Sequence, residues 1–203
     1  MKCVEQEAWA TSEELAKERG VFTNWERSIY AAQNRRVRNA TCTSIAPTGT
    51  ISLLANCSSG IEPLFALAHR RNALDGKVLV DFNETFQKAF QKQPHILEQV
   101  AKAGSLTGIS EIPARTKSLF KTALELGPDE HLNIQVAFQQ HTDNAVSKTI
   151  NLPESVSVDT VREIYVKAWE HDLKGVTLFR YGSKNAQVLE LGSTKCEPDE
   201  CKL

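Results

Sequence analysis

Apolar residues recur along the chain with two spacings, which predict helices and strands in alternation. Helical spacing runs over residues 3–19, where Trp9, Leu15 and Ala16 lie among Glu and Lys and Gly20 ends the segment, and again over 158–171. Shorter helices are predicted at about 24–33, 50–57, 83–92, 117–126 and 129–141. Apolar runs predict strands at 41–46, 64–69, 77–82, 147–152 and 176–182, and the segment 93–115 has the weakest pattern. This alternation is typical of an α/β protein with parallel strand pairing.

Composition narrows the class of protein. The 203 residues are 41% hydrophobic and 24% charged, which is enough for one domain with a core or for part of a larger one. A net charge of −1, without a long block of one sign, gives no support to nucleic-acid or membrane-surface binding. No apolar run approaches the roughly 18 residues of a membrane span. The acidic, amphipathic opening MKCVEQEAWATSEEL is unlike a signal peptide, so we expect a cytoplasmic protein.

The break between the strand predicted at 41–46 and the following helix reads PTGTIS. It places the hydroxyl groups of Thr48, Thr50 and Ser52 around Gly49. A helix N-terminus has unpaired backbone N–H groups and partial positive charge, and glycine allows a ligand to come close. Phosphate binding is one interpretation, and the other is that Thr48 or Thr50 simply caps the helix. No Lys follows the glycine, so this is not the nucleoside-triphosphate P-loop pattern.

Longer strings resemble one family. RNATCTSIAPTGTISLLANCSSGIEPLFAL (38–67), HLNIQVAFQQHTDNAVSKTINLP (131–153) and LKGVTLFRYGSK (173–184) resemble the large chain of ribonucleotide reductases, most closely the vitamin B12-dependent (class II) branch. The resemblance extends in order over about residues 5–203. It implies an α/β fold, with residues 1–184 forming the C-terminal portion of the family's ten-stranded α/β barrel and residues 185–203 a flexible tail.

The resemblance also implies an activity and a site. The family reduces ribonucleotides to deoxyribonucleotides by radical chemistry, and its PTGTIS-type loop receives the phosphates of the substrate. We therefore expect Thr48, Gly49, Thr50, Ile51 and Ser52 to bind phosphate, with a ribonucleoside diphosphate as substrate. Backbone N–H groups matter here as much as side chains, which is why Ile51 is included.

The string at 173–184 separates two branches of the family. Class I large chains carry two adjacent tyrosines there, which relay a radical from a second subunit, whereas this chain has Phe179 and Arg180. Neither side chain forms such a relay, and Tyr181 alone does not make the pair. The resemblance thus implies adenosylcobalamin as the radical source of the complete enzyme.

The five cysteines fall into two groups. An odd number in a chain without a secretion signal argues against a structural disulfide framework. By resemblance, Cys196 and Cys201 form a thiol–disulfide shuttle that a thioredoxin- or glutaredoxin-type protein reduces. Half a zinc site, or two idle thiols, are the alternatives, although zinc needs more ligands than this pair supplies. Cys42 and Cys57 are interpreted as buried structural residues, and Cys3 has no assigned role.

The family's radical cysteine lies in an Asn-x-Cys-x-Glu segment that this chain lacks. We therefore expect the C-terminal part of a large chain, inactive without the N-terminal part as its partner, and an oligomer, because half a barrel exposes strand edges. The alternatives are a non-catalytic nucleotide-binding or regulatory remnant and a fragment of a class I large chain. The segment Asp143–Thr149 is a family hallmark without an assigned chemistry, and we interpret it as a polar junction that fixes a turn. We expect the tryptophans to be core residues or partner contacts, and no histidine to bind a metal.

Overall fold

The computed structural model of the protein describes residues 1–55, 57–72 and 78–183. Eight α-helices lie in these ranges: α1 (Lys2–Arg19), α2 (Ile29–Ala32), α3 (Gly49–Ala55), α4 (Glu84–Phe90), α5 (Pro94–Ala103), α6 (Ala114–Leu119), α7 (Pro128–Gln139) and α8 (Val158–Glu170). Four strands accompany them: β1 (Ala68–Asn72), β2 (Val78–Phe82), β3 (Thr149–Leu152) and β4 (Thr177–Arg180). Single 3-10 turns cover Trp25–Arg27 and Ala123–Glu125.

The described strands form two two-stranded sheets, β1–β2 and β3–β4. The β1–β2 pair is antiparallel, with Ala68 opposite Phe82. This differs from the parallel pairing that the alternation predicts, because only five residues separate β1 from β2 in the sequence, which is too few for the crossover that parallel strands need. Parallel pairing occurs at an isolated bridge between Ile45 and Val146.

Most predicted elements are present, with shifts at their ends. The helices expected at 3–19 and 158–171 are α1 and α8, whereas the strand expected at 41–46 is reduced to the bridge at Ile45. The strand expected at 64–69 begins later, at Ala68. The apolar pattern does not predict helix α5. The sequence signals for α5 are residues that begin and end helices: Pro94 in the first turn and Gly104 as a left-handed C-cap at φ +74°.

The chain divides into two compact units, of which the first comprises residues 1–61, 128–150 and 156–178. Its interior is formed by apolar side chains from α1, α7, α8 and the segments beside them. Those that are buried are Trp9, Ala16, Val37, Leu132, Val146, Ile150, Ile164 and Ala168. The expected core position is therefore confirmed for Trp9, whereas Trp169 of α8 is 79% exposed.

The second unit comprises residues 62–127, 151–155 and 179–203, described as far as residue 183. Its core lies between α4, α5 and the loop after α5, and nine buried side chains form it: Leu67, Ala68, Phe86, Phe90, Ile96, Val100, Leu106, Ile109 and Ile112. The rings of Phe86 and Phe90 lie 4.8 Å apart, and Phe120 packs edge-on against both. Asn83 begins α4 by accepting a hydrogen bond from the Phe86 N–H at 3.1 Å.

Candidate phosphate-binding site

The five residues predicted to bind phosphate form one turn of the first unit, at the start of α3. Gly49 and Thr50 are exposed, Thr48 is half-buried and Ser52 is 7% exposed. Thr48 has φ +51°, a conformation that a β-branched residue rarely adopts. Backbone strain of this kind is kept only where the surroundings impose it, and it is concentrated at ligand sites. The structure thus presents an open turn at Gly49 and Thr50 next to a strained residue.

Side chains around this turn fix its entry and exit. Ser59 Oγ donates to the carbonyl oxygen of Pro47 and lies 3.5 Å from Thr48 Oγ1. Gly60 has φ +55°, and a Cβ there would lie 3.3 Å from the carbonyl oxygen of Ala46. A larger residue at position 60 would therefore press on the segment that leads into the turn.

Ser52 is placed differently from a simple hydroxyl donor to a ligand. Its Oγ donates to the carbonyl oxygen of Gly49 at 2.7 Å, within the first turn of α3. The Ser52 backbone N–H bonds the Thr48 carbonyl oxygen at 2.9 Å. Ile51 extends outward and is 62% exposed, so its side chain is not what holds the turn. Any phosphate here would meet mainly backbone N–H groups of the first helical residues, which have no partner within a helix.

A carboxylate of the hallmark segment lies beside the segment that precedes the turn. Asp143 Oδ2 accepts from the backbone N–H groups of Cys42 (2.7 Å) and Thr43 (3.0 Å) and from Thr43 Oγ1 (3.2 Å). Asp143 Oδ1 accepts from the indole Nε1 of Trp9 at 3.1 Å. In return, the Asp143 backbone N–H donates to Thr43 Oγ1 at 2.9 Å. The segment is thus a polar junction, as expected, but it joins α1, residues 42–43 and the end of α7 rather than fixing one turn.

Two other residues of the hallmark segment, Val146 and Lys148, are buried, whereas Asn144 and Ala145 are exposed. Lys148 is 2% exposed, and its Nζ lies 2.8 Å from Nδ1 of His131, which is 1% exposed. Gln135, one helical turn after His131, donates from Nε2 to the carbonyl oxygens of Val146 (3.4 Å) and Gly175 (2.8 Å). These contacts hold the segments leading into β3 and β4 against α7.

The burial of the cysteines differs from what we expect from the sequence. Cys42 is half-buried, and burial raises the pKa of its thiol, with a further contribution from the negative charge of Asp143. Cys57 is exposed, so its interpretation as a buried residue is wrong; it follows the end of α3 instead of packing under it. Cys3 is exposed as well. Cys196 and Cys201 lie outside the described residues.

Neither a group of metal ligands nor a membrane-spanning helix is found among the described residues. Within residues 1–55, 57–72 and 78–183, no three His, Cys, Asp or Glu side chains are grouped in a way that could hold a metal ion. In the same ranges, no helix combines the length and the apolar character needed to cross a membrane.

A family comparison identifies the class of protein. The sequence model described as "Ribonucleotide reductase, barrel domain" matches residues 32–179, which include the turn at Thr48–Ser52 and the junction at Asp143. The chain belongs to this ribonucleotide reductase barrel-domain family.

Relatives within the family carry a more specific description. The chain is 42% identical over 199 residues to the vitamin B12-dependent ribonucleoside-diphosphate reductase of Mycobacterium tuberculosis, covering 96% of this chain and 28% of that protein. It is 38% identical over 206 residues to the protein of the same description from Thermoplasma acidophilum, covering 100% of this chain and 27% of that protein. The chain therefore spans somewhat more than a quarter of the length of these two relatives.

A solved structure supports the fold. The α subunit of the class Id ribonucleotide reductase of Actinobacillus ureae superposes with a TM-score of 0.71 at 23% identity, covering 89% of this chain and 33% of that one. At this identity the likeness bears on the fold alone, and it agrees with the expected α/β portion of a reductase barrel.

Proposed function

We propose that this chain is part of an adenosylcobalamin-dependent ribonucleoside-diphosphate reductase and that the turn at Thr48–Ser52 receives the diphosphate of the substrate. The observation that carries the proposal is the strained, open turn at Thr48–Gly49, inside the region matched by the reductase barrel-domain family. The relatives' descriptions supply the substrate class and the cofactor.

Within this site the backbone has the main role. The N–H groups of Gly49, Thr50 and Ile51 donate to phosphate oxygens, and the hydroxyl groups of Thr48 and Thr50 add donors at the edge. Gly49 has open space where a Cβ would be, so a phosphate group can come close to the backbone there. Ser52 contributes by holding the Gly49 carbonyl oxygen, which keeps the turn in shape.

The cofactor belongs to the complete enzyme in this proposal. A cavity of about 570 Å³ lies between α1 and residues 39–42, lined by side chains such as Val4, Ala8 and Leu15. This cavity is not assigned to the cofactor, and no step of the reaction is assigned to the described residues through it.

Cys196 and Cys201 complete the proposal as the shuttle that restores the enzyme after each turnover. Their dithiol attacks the disulfide formed in the active site, through a mixed disulfide. The active-site pair leaves as two thiols, and the tail pair becomes a disulfide. A thioredoxin- or glutaredoxin-type dithiol then reduces the tail. A cytoplasmic location is part of the proposal, because reducing conditions keep these thiols available.

The proposal also requires partners. The radical cysteine expected in the family is not on this chain, so the N-terminal part of the reductase must supply it, together with the remaining barrel strands. The assembly is proposed to be an oligomer of the two parts. The chain alone is then inactive.

Complementation tests the function directly. This chain is mixed with the N-terminal part of a relative's reductase, adenosylcobalamin, a ribonucleoside diphosphate and a small dithiol, and deoxynucleotide is measured. We expect product only when both parts are present. Folded chain that binds nucleotide without yielding product in the mixture would instead favour a regulatory remnant.

The shuttle is tested by changing the reductant. With thioredoxin as the sole reductant, Cys196→Ser and Cys201→Ser should lose activity, whereas the small dithiol should restore it by reaching the site directly. Cys57→Ser is the matched control, because Cys57 is exposed but lies outside the tail, and it should keep full thioredoxin-dependent activity. Thioredoxin-dependent activity in both tail variants would overturn the shuttle.

A further inference from the structure

We propose that Asp143 is a positioning residue for the phosphate-binding turn and acts on it through residues 42–47. The inference rests on the proposed function, since it concerns the turn that is proposed to receive the substrate's phosphates. Asp143 itself does not touch the substrate in this account.

The Asp143 side chain makes several of the contacts between the junction and the segment before the turn. The Asp143 carboxylate accepts from the backbone N–H groups of Cys42 and Thr43, from the Thr43 hydroxyl and from the Trp9 indole, at 2.7 to 3.2 Å. Thr43 is 6% exposed and Asp143 is half-buried, so these hydrogen bonds are partly shielded from water. Hydrogen bonds to a charged group are stronger than those between neutral groups, and leaving buried donors unpaired is costly.

The hydrogen bonding continues from Thr43 toward the turn. The Asn144 backbone N–H donates to the Thr43 carbonyl oxygen at 3.1 Å, and the Ser147 backbone N–H donates to the Ile45 carbonyl oxygen at 2.9 Å. Between them lies the parallel bridge of Ile45 with Val146. Residues 43–45 are therefore aligned against 143–147 in one register, and the Asp143 carboxylate fixes the start of that register.

The far end of the segment is held at the turn. The Pro47 carbonyl oxygen accepts from Ser59, and Gly60 lies close to the Ala46 carbonyl oxygen. The next residue is Thr48, with its strained φ of +51°. A strained residue persists only while its neighbours are fixed, so a shift in residues 42–46 changes the orientation of the N–H groups of Gly49 and Thr50.

The chemistry of the contacts requires a carboxylate. All four of the groups that contact the side chain are donors, on both of its oxygens. An asparagine has nearly the same shape but replaces one oxygen with an NH₂ group, which is itself a donor. Whichever way the amide is turned, a donor then faces either the Trp9 indole or the donors from Cys42 and Thr43.

The experiment measures pyrophosphate binding by the full chain with isotope-labelled protein. The backbone amide signals of Gly49 and Thr50 are followed by NMR during a titration with inorganic pyrophosphate. We expect the dissociation constant of Asp143→Asn to be about tenfold higher than that of the wild type, a size typical of losing hydrogen bonds to a charged group. Dispersed spectra and an intact signal of the Trp25 indole, whose Nε1 donates to the Arg35 carbonyl oxygen at 2.8 Å, check that the variant is folded.

Asp129→Asn is the matched control. It makes the same change of charge and shape in the same unit, at an exposed carboxylate that pairs with Lys167 at 2.6 Å. It should bind pyrophosphate as the wild type does. Thr43→Ser keeps the hydroxyl group that both donates to and accepts from Asp143, and it should retain affinity, whereas Thr43→Val should lose part of it.

The outcomes separate the two proposals. If pyrophosphate does not move the Gly49 and Thr50 signals of the wild type, the proposed function of the turn fails. If the wild type binds and folded Asp143→Asn binds equally well, the positioning role is overturned and the turn's function stands. If Asp143→Asn does not fold, Thr43→Val decides: weaker binding supports the positioning role, and binding equal to that of Thr43→Ser overturns it.

Discussion

At the scale of single residues, the thiol of Cys42 reports on the junction around Asp143. Burial raises its pKa above the ordinary value of 9.0, and the negative charge of Asp143 raises it further, while a hydrogen bond with Ser12 and the charge of Arg35 lower it. The thiol therefore stays protonated in the folded protein at a pH where it ionises in the unfolded chain.

This shift predicts a pH dependence of reactivity and stability. Because the folded pKa is raised, the stability that Cys42 contributes is full below about pH 9 and is lost as the pH rises through the folded pKa. Iodoacetamide should modify exposed Cys57 faster than half-buried Cys42 at pH 8, and the rate at Cys42 should rise with a midpoint above 9.0. The measurement is mass spectrometry of each cysteine peptide across a pH series.

Asp143→Asn supplies the control for this prediction. It removes the negative charge but changes the volume very little, so the Cys42 midpoint should fall. Asp129→Asn should leave it unchanged. A midpoint for Cys42 at or below 9.0 in the wild type would contradict the prediction, as would an unchanged midpoint in a folded Asp143→Asn variant.

At the scale of elements, α8 shows that the sequence pattern predicts the presence of a helix but not how much of its apolar face is buried. The apolar spacing of residues 158–171 predicts a helix, and it also predicts one apolar face containing Val161, Ile164, Tyr165, Ala168 and Trp169. Only Ile164 and Ala168 of that set are buried, while Tyr165 is 51% and Trp169 79% exposed. Periodicity identifies the helix, but the width of the buried strip is set by the neighbouring elements, which a single sequence does not reveal.

A pair of substitutions on α8 tests this difference in burial between Ile164 and Trp169. Ile164→Ala should lower the free energy of unfolding by about 2–4 kcal/mol, because it leaves a cavity under α8. Trp169→Ser should change it by less than about 0.5 kcal/mol, because its ring is largely in water already. Urea unfolding followed by circular dichroism measures both. A loss at Trp169 as large as that at Ile164 would mean that the tryptophan is packed.

The same contrast between local signals and distant contacts explains which features of the candidate site could be predicted from the sequence. The PTGTIS string, its glycine and the following helix were all readable along the chain, because they depend on neighbouring residues. The resemblance supplied the assignment to phosphate. The role of Asp143 was not readable, since its partners Cys42 and Thr43 lie about 100 positions away and only folding brings them together. The half-burial of Cys42 and the exposure of Cys57 depend on tertiary packing in the same way.

At the scale of the whole molecule, the second unit has an apolar core contained in one continuous stretch. The nine buried residues of that core all lie between Leu67 and Ile112. The α4 and α5 helices carry their own caps at Asn83 and Gly104, and the Gly104 carbonyl oxygen accepts from the Leu67 N–H at 2.7 Å. The proposed phosphate-binding turn and Asp143 belong to the first unit, so this core and the site are encoded by different segments.

A fragment of residues 62–127 should therefore fold without the rest of the chain. Its core has four aromatic or branched residues on α4 and α5, namely Phe86, Phe90, Ile96 and Val100, and these pack on the loop that ends at Ile112. We expect helical circular dichroism, dispersed methyl signals and a cooperative thermal transition, with low stability because about 60-residue domains bury little surface. Phe86→Ala should abolish the transition, since a loss of about 3–5 kcal/mol exceeds what so small a core supplies. Lys88→Ala is the control, because that exposed residue of α4 makes only a surface ion pair with Glu84 and its loss should leave the transition in place. A fragment without dispersed signals would show that the core between α4 and α5 needs the remaining segments of its unit to form.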